Sequence, residues 1–215
     1  LILSFLFGMM LSVFPSIDPS NIFYLAMFIL PVIVFAVSMY VEKEEQSIFP
    51  IACSKKDAVQ MVVSKVFSSV LVMMLPILFF ILVLSLRANN QIQFGLLILG
   101  YIVGASLHVL IGLFIAMANR SSKTLAASYI TYVLVFSVTP ILYANGLIPY
   151  SMQYVMIVSP AYLSGVLVEN ILAGVWFSPS WLLILSAVLQ VVYIAILYRV
   201  AILPHFCKYY LTTIE

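Results

Sequence analysis

Seven of the chain's sixteen formally charged side chains fall within one stretch, VEKEEQSIFPIACSKKDAVQ, residues 41–60. Three carboxylates, Glu42, Glu44 and Glu45, precede an apolar turn of Ile48, Phe49 and Ile51, and Lys55, Lys56 and Asp57 follow it. An apolar tip ringed by both signs of charge suits a protein partner, since it joins a desolvated contact to a polar rim. It equally suits a solvated loop whose glutamates stop an apolar helix. Covalent or acid–base chemistry has fewer candidates. His108 and Ser106 stand two residues apart and point to different sides of a helix, so they cannot form a Ser-His pair with each other. A histidine packed and bonded to a neighbouring carbonyl is expected instead. No HExxH, no Cys and His at zinc spacing and no paired aspartates within an apolar run occur, so no metal or hydrolytic site is expected. There is no Walker A motif, so this chain does not cradle a nucleotide's phosphates.

The elements that must position these residues are membrane helices. Of 215 residues, 65% are apolar and 7% charged, against about 45–50% and about 25% in soluble domains. Runs of roughly 20 uncharged residues cross a bilayer. Five such spans read as Asn21 to Val41, Val66 to Leu86, Phe94 to Ala118, Leu125 to Tyr143 and Trp181 to Leu203, with Arg199 the only Asp, Glu, Lys or Arg in them. Leu1 to Phe14 reads as a shorter sixth, a first span whose cytoplasmic beginning is expected upstream of Leu1, rather than a signal peptide, since it lacks a basic leader and a cleavage site. No span carries a carboxylate of the kind proton coupling uses. Energy for moving a solute is therefore expected to enter through a partner.

Short cytoplasmic loops are enriched in Lys and Arg. Lys43, Lys55, Lys56, Lys65, Arg120, Lys123, Arg199 and Lys208 fall on one side of the six-span arrangement and Arg87 on the other. This places both termini and the charged stretch in the cytoplasm of a multi-pass plasma-membrane protein. Cys53 and Cys207 then face the reducing side, where no disulfide is expected. The mild positive charge follows from this asymmetry and does not argue for nucleic acid.

Three features break the apolar monotony. Ser54-Lys55-Lys56-Asp57 has the spacing of a capping box that starts a helix into span 3. Leu147 to Gly174 is cut by Pro149, Pro160, Gly165, Glu169 and Gly174 into apolar pieces, Met152 to Val158 and Ala161 to Val168, too short to cross; re-entrant half-helices are expected, an interfacial loop being the alternative. Gly100, Gly104, Gly112 and Ala116 share a face with His108, which predicts close approach of a second helix. Pro31, Pro76 and Pro140 are hinge candidates.

The order Glu42-Lys43-Glu44-Glu45, an apolar turn, then Ser54-Lys55-Lys56-Asp57-Ala58-Val59 and Lys65 resembles the first cytoplasmic loop of ABC-2 type exporter permeases. Ser159-Pro160-Ala161-Tyr162-Leu163, followed by Gly165, is similar to that family's stretch between spans 5 and 6. Gln46-Ser47 and Cys53 depart from its usual Gly-Thr and proline. The resemblance implies an all-α membrane protein, a single permease domain over residues 1–215, with six transmembrane helices, a cytoplasmic coupling helix between spans 2 and 3 and re-entrant half-helices between spans 5 and 6. It implies a non-enzymatic half-transporter with no cofactor of its own: a second permease chain, identical or different, pairs with it in the membrane, and ATP and Mg are held by a separate cytosolic ABC ATPase. On that reading Glu42, Glu44 and Glu45 supply polar contacts to the ATPase, Ile48, Phe49 and Ile51 the buried tip, and Lys55 and Lys56 the rim. The cargo is amphipathic (peptide, lipid or drug-like), and the small size resembles bacterial exporters of cytolytic or antimicrobial peptides such as phenol-soluble modulins. The rival classes are an intramembrane enzyme around His108, Arg87 or Glu169, and a channel or assembly factor that needs no ATPase.

Overall fold

A helix without a polar side has no face to offer water and must be surrounded. Phe94–Ala118 is such a segment, and in the computed structural model of the chain it forms the central helix. The structure describes residues 28–45, 58–87, 94–144, 146–173 and 180–206. In chain order the helices are α1 (Leu30–Glu44), α2 (Ala58–Arg87), α3 (Phe94–Ala118), α4 (Ser122–Tyr132), α5 (Thr139–Ala144), α6 (Gln153–Met156), α7 (Pro160–Ala173) and α8 (Ser180–Ile196). A π-helical turn, Val133–Val138, joins α4 to α5, a second, Leu197–Ile202, extends α8, and a 3-10 turn, Tyr150–Met152, precedes α6. No strand occurs among the described residues, so the all-α expectation holds.

α3 is in contact with α1, α2, α4, α7 and α8, and its longest contact is with α1. The small residues of α3 explain that contact. A Cβ added at Gly104 would lie 2.5 Å from the Phe28 ring, and one at Gly112 would lie 2.8 Å from the Val32 carbonyl oxygen. With hydrogen in place of a methyl, the two helices meet backbone against ring and backbone against backbone. Phe28, Val32, Ala36 and Met39 are fully buried on the α1 side, and Tyr101, Ala105, Leu113 and Ala116 on the α3 side. The predicted role of the glycine stripe, close helix packing, is the one observed.

Four helical stretches among the described residues are long and apolar enough to cross a membrane: Ala58–Leu75, Gly95–Ala118, Ser122–Tyr143 and Trp181–Phe206. A fifth appears if Tyr150–Met156 and Pro160–Val168, which meet at 113°, form one broken crossing. The chain is a membrane-spanning protein. Expected span 4 coincides with α3, and α2 begins at Ala58, ahead of the uncharged span from Val66, as a helix leading into span 3 from the Ser54–Asp57 stretch should. α1 passes Val41 and ends at Glu44, since Glu and Lys are good helix formers and need not stop a helix. The stretch Leu1 to Phe14 and residues 21–27 of the expected second span lie outside the described residues.

The end of α5 carries a device absent from the sequence expectations. Gly146 has φ +72°, its N–H donates to the Tyr143 carbonyl at 3.0 Å, and the Leu147 N–H donates to the Leu142 carbonyl at 2.9 Å. This is the Schellman closure, which satisfies the last carbonyls of a helix and favours glycine at the left-handed position.

Candidate functional site: the charged end of the bundle

Among the described residues, Glu42, Lys43, Glu44 and Glu45 at the end of α1 stand near Lys65 on α2 and the turn between α3 and α4. Each is placed by its helix. Glu42, on the last turn of α1, pairs with Lys65 on α2. Their side chains are 32% and 21% exposed, so the pair is partly sheltered and ties the two helices together across residues 46–57. Two residues before Glu42, the Tyr40 hydroxyl donates to a Glu44 carboxylate oxygen at 2.6 Å, and its oxygen faces the backbone N–H of Ser122 and lies 3.5 Å from the Arg120 carbonyl oxygen. That contact holds the end of α1 against the α3–α4 turn. Lys43 lies past Val41, outside the apolar span. Partial burial lowers its ammonium below the ordinary lysine range, nearby Arg120 adds to the effect, and Glu44 opposes it.

The α3–α4 turn is built to be rigid. Asn119, 7% exposed, donates from its amide to the Ile115 carbonyl at 2.7 Å and accepts from the Ser128 hydroxyl at 3.0 Å. Ser121 caps α4: its hydroxyl accepts from the Thr124 N–H, and the Thr124 hydroxyl oxygen accepts from the Ser121 N–H. Such a reciprocal cap satisfies two donors that a helix start otherwise leaves open.

Of the residues expected to contact an ATPase, Glu44 and Glu45 are exposed and Glu42 is half-buried against α2. Ile48, Phe49, Ile51, Lys55 and Lys56, with the Ser54 capping box, lie outside the described residues, as do Cys53, Cys207 and the side chains of Arg87 and Glu169. Lys65 was named in the sequence pattern without this pairing, and Tyr40 and the Asn119–Ser128 pair are the residues that sequence reasoning missed in this role. Only Lys65 carried a signal, being a lone cation in an apolar run.

A second junction lies deeper. Pro140 has no N–H and cannot donate to the Phe136 carbonyl as an ordinary helical residue would. The Ser159 hydroxyl donates to that carbonyl at 2.7 Å and accepts from the Tyr162 N–H at 3.2 Å. Ser159 is therefore both the N-cap of α7, with Pro160 in the first helical position, and the clasp between α7 and the bent crossing α4–α5. On its other side, the Tyr193 hydroxyl donates to the Val158 carbonyl at 3.1 Å, and the Ser164 hydroxyl donates to the Pro160 carbonyl at 3.1 Å and lies 3.2 Å from the Gln190 side-chain amide. A bent pair of helices is present where two short pieces were expected, but α7 runs through Gly165 and Glu169 to Ala173 and α6 is a single turn, Gln153–Met156.

Between α3, α4 and α8 runs a cleft of about 630 Å³. Leu107 and Ile111 line one wall, Ala127 and Thr131 the second, and Tyr193 and Leu197 the third; Pro160 borders it, and no lining residue is charged.

His108 is fully buried beside this cleft. Its Nδ1 donates to the Gly104 carbonyl at 2.7 Å, and its ring sits between those of Phe28 and Tyr132, at centroid distances of 5.1 and 6.4 Å. This is the packed histidine the sequence predicted. No cluster of His, Cys, Asp or Glu able to hold a metal occurs among the described residues. Comparison with family models, curated proteins and solved structures returns no match.

Proposed function

We propose that the chain is the membrane-spanning permease subunit of an ATP-driven exporter of the ABC-2 type, set in the plasma membrane with both termini in the cytoplasm. In this reading residues 46–57 are a coupling segment seated on a separate cytosolic ATPase, and a second permease chain completes the path for an amphipathic cargo. The observation that carries the reading is the bracing at the base of that segment. Glu42 and Lys65 clasp the two helices that flank it, and Tyr40 ties α1 to the α3–α4 turn. A displacement applied to the segment then reaches α1 and α2 together, and through the close α1–α3 contact it reaches the central helix. A merely solvated loop has no use for such bracing. The eight-to-one distribution of Lys and Arg supports the cytoplasmic placement.

Two experiments test this. In the Cys207→Ser background, a membrane-impermeant maleimide should label Cys53 in inside-out vesicles and not in right-side-out ones. The Glu44→Lys/Glu45→Lys variant, co-expressed with a cytosolic ABC ATPase identified by co-purification with this chain, should insert normally and lose transport-linked ATP hydrolysis. Labelling of Cys53 from outside, or undiminished coupled hydrolysis in the variant, refutes the proposal.

A further inference from the structure

The cleft between α3, α4 and α8 has a direction. Its lining follows α3 from Leu107 to Asn119, about 18 Å at 1.5 Å per residue, close to the roughly 15 Å depth of one leaflet's hydrocarbon. Along that length the only polar atoms are the hydroxyls of Thr131, Tyr132 and Tyr193 until the charged end of the bundle, where Asn119 and Ser128 are found. The volume lies within the range of small-molecule sites, roughly 300–1,000 Å³.

Cations stand at that end and nowhere else along the cleft. Lys123 is one helical turn before Ala127 and two before Thr131, so all three share a face of α4. Arg120 follows the lining residue Asn119 directly, and Arg199 lies in the turn that contains the lining residue Leu197. All three are exposed, and no carboxylate pairs with them among the described residues. An apolar slot one leaflet deep, with positive charge only at its mouth, is complementary to an amphiphile with an anionic head.

We infer that the cleft holds an acyl chain of an anionic phospholipid, with the head group at Lys123 and Arg120. Hydrocarbon fills the slot from Leu107 to Thr131. The neutral polar groups of Ser128 and Asn119 meet the glycerol level, and the two cations meet the phosphate. Each basic residue near a charged lipid surface strengthens its attraction several-fold. Two together favour an anionic over a zwitterionic head by a factor on the order of 30. The inference is independent of any ATPase, because binding is read on this chain alone.

The test titrates the full chain, in detergent, with phosphatidylglycerol, phosphatidylcholine and palmitate, followed by native mass spectrometry. Phosphatidylglycerol should bind more than tenfold tighter than phosphatidylcholine. The Arg120→Gln/Lys123→Gln variant, altered only at exposed positions, should lose that preference while keeping the phosphatidylcholine level, and Ala127→Phe, which fills the slot, should weaken both lipids. The Lys123→Arg variant should retain the preference. Equal affinity for the two phospholipids, a preference that survives the double variant, or unchanged binding in Ala127→Phe if that variant remains folded, overturns the inference. So does displacement of phosphatidylglycerol by an equal concentration of palmitate, which assigns the slot to free fatty acid.

Discussion

Replacing Ser159 by alanine removes one hydroxyl that serves two helices, and its cost can be worked from the structure. The side chain is buried, at 6% exposed. Its loss takes away the donor to the Phe136 carbonyl and the acceptor for the Tyr162 N–H. A buried hydrogen bond contributes about 1 kcal/mol net, and an N-cap about the same. Ser159→Ala should therefore destabilise the fold by about 2 kcal/mol. The first half of that cost exists because Pro140 brings no N–H to the Phe136 carbonyl. Pro140→Ala supplies a main-chain donor there, so Ser159→Ala should cost only about 1 kcal/mol in that background. The coupling energy, about 1 kcal/mol, is read from a double-mutant cycle by steric trapping or by denaturant titration in mixed micelles. If Ser159→Ala costs the same in both backgrounds, within about 0.3 kcal/mol, the proline-to-serine compensation is refuted.

Three further perturbations separate packing, turn and charge. Gly112→Ala places a methyl against the Val32 carbonyl, a backbone atom that cannot rotate away, whereas Gly95 has nothing within 4 Å of its added Cβ. Overpacking should cost Gly112→Ala about 1–3 kcal/mol, and Gly95→Ala should be neutral or slightly stabilising; the thermal loss of the monodisperse peak on size-exclusion chromatography compares them, and equal midpoints contradict the close-contact argument. Gly146→Ala must adopt a left-handed backbone at about 1–2 kcal/mol, visible as faster amide exchange at the end of α5. For the Glu42–Lys65 pair, partial exposure limits the coupling to about 0.2–1 kcal/mol. The swap Glu42→Lys/Lys65→Glu should recover most of what either single change loses, and the difference should shrink in high salt; a swap no better than the single changes refutes pairing.

What could be read from the sequence was what local chemistry decides. Phe94 to Ala118 was legible to the residue because nothing in it is polar enough to stop a membrane helix, and the charges beyond it are. The packing of His108 and of the glycine face was legible for a related reason: small residues every fourth position have one use in a helix with no solvent. The boundary failed where charge was taken as a stop, at Val41, whereas the start of α2 at Ala58 agrees with a helix that the Ser54–Asp57 spacing leads into span 3. Glutamate and lysine continue a helix readily and end only its apolar run, so α1 and α2 project beyond it, and the projection lets Glu42 reach Lys65.

Long-range pairings were not legible, although one of them had a trace. A proline four residues after Phe136 announces a carbonyl that an ordinary helix would have satisfied, and a Ser-Pro dipeptide announces a capped helix start. Neither says that the capping serine and the carbonyl are the same contact. That requires the chain to fold back at Tyr150–Met156 and bring α7 against α4–α5. The bend at residues 157–159 thus fixes more than the path of a loop. It places Pro160 at the border of the apolar cleft, beside Tyr193, which also lines the cleft and whose hydroxyl donates to the Val158 carbonyl. A disturbance of the Ser159 clasp therefore changes the shape of the cleft's deep end, and a chain lodged in the cleft in turn bears on the bend. The charged end and the bent pair α6–α7 are thus linked through one central helix and one cleft.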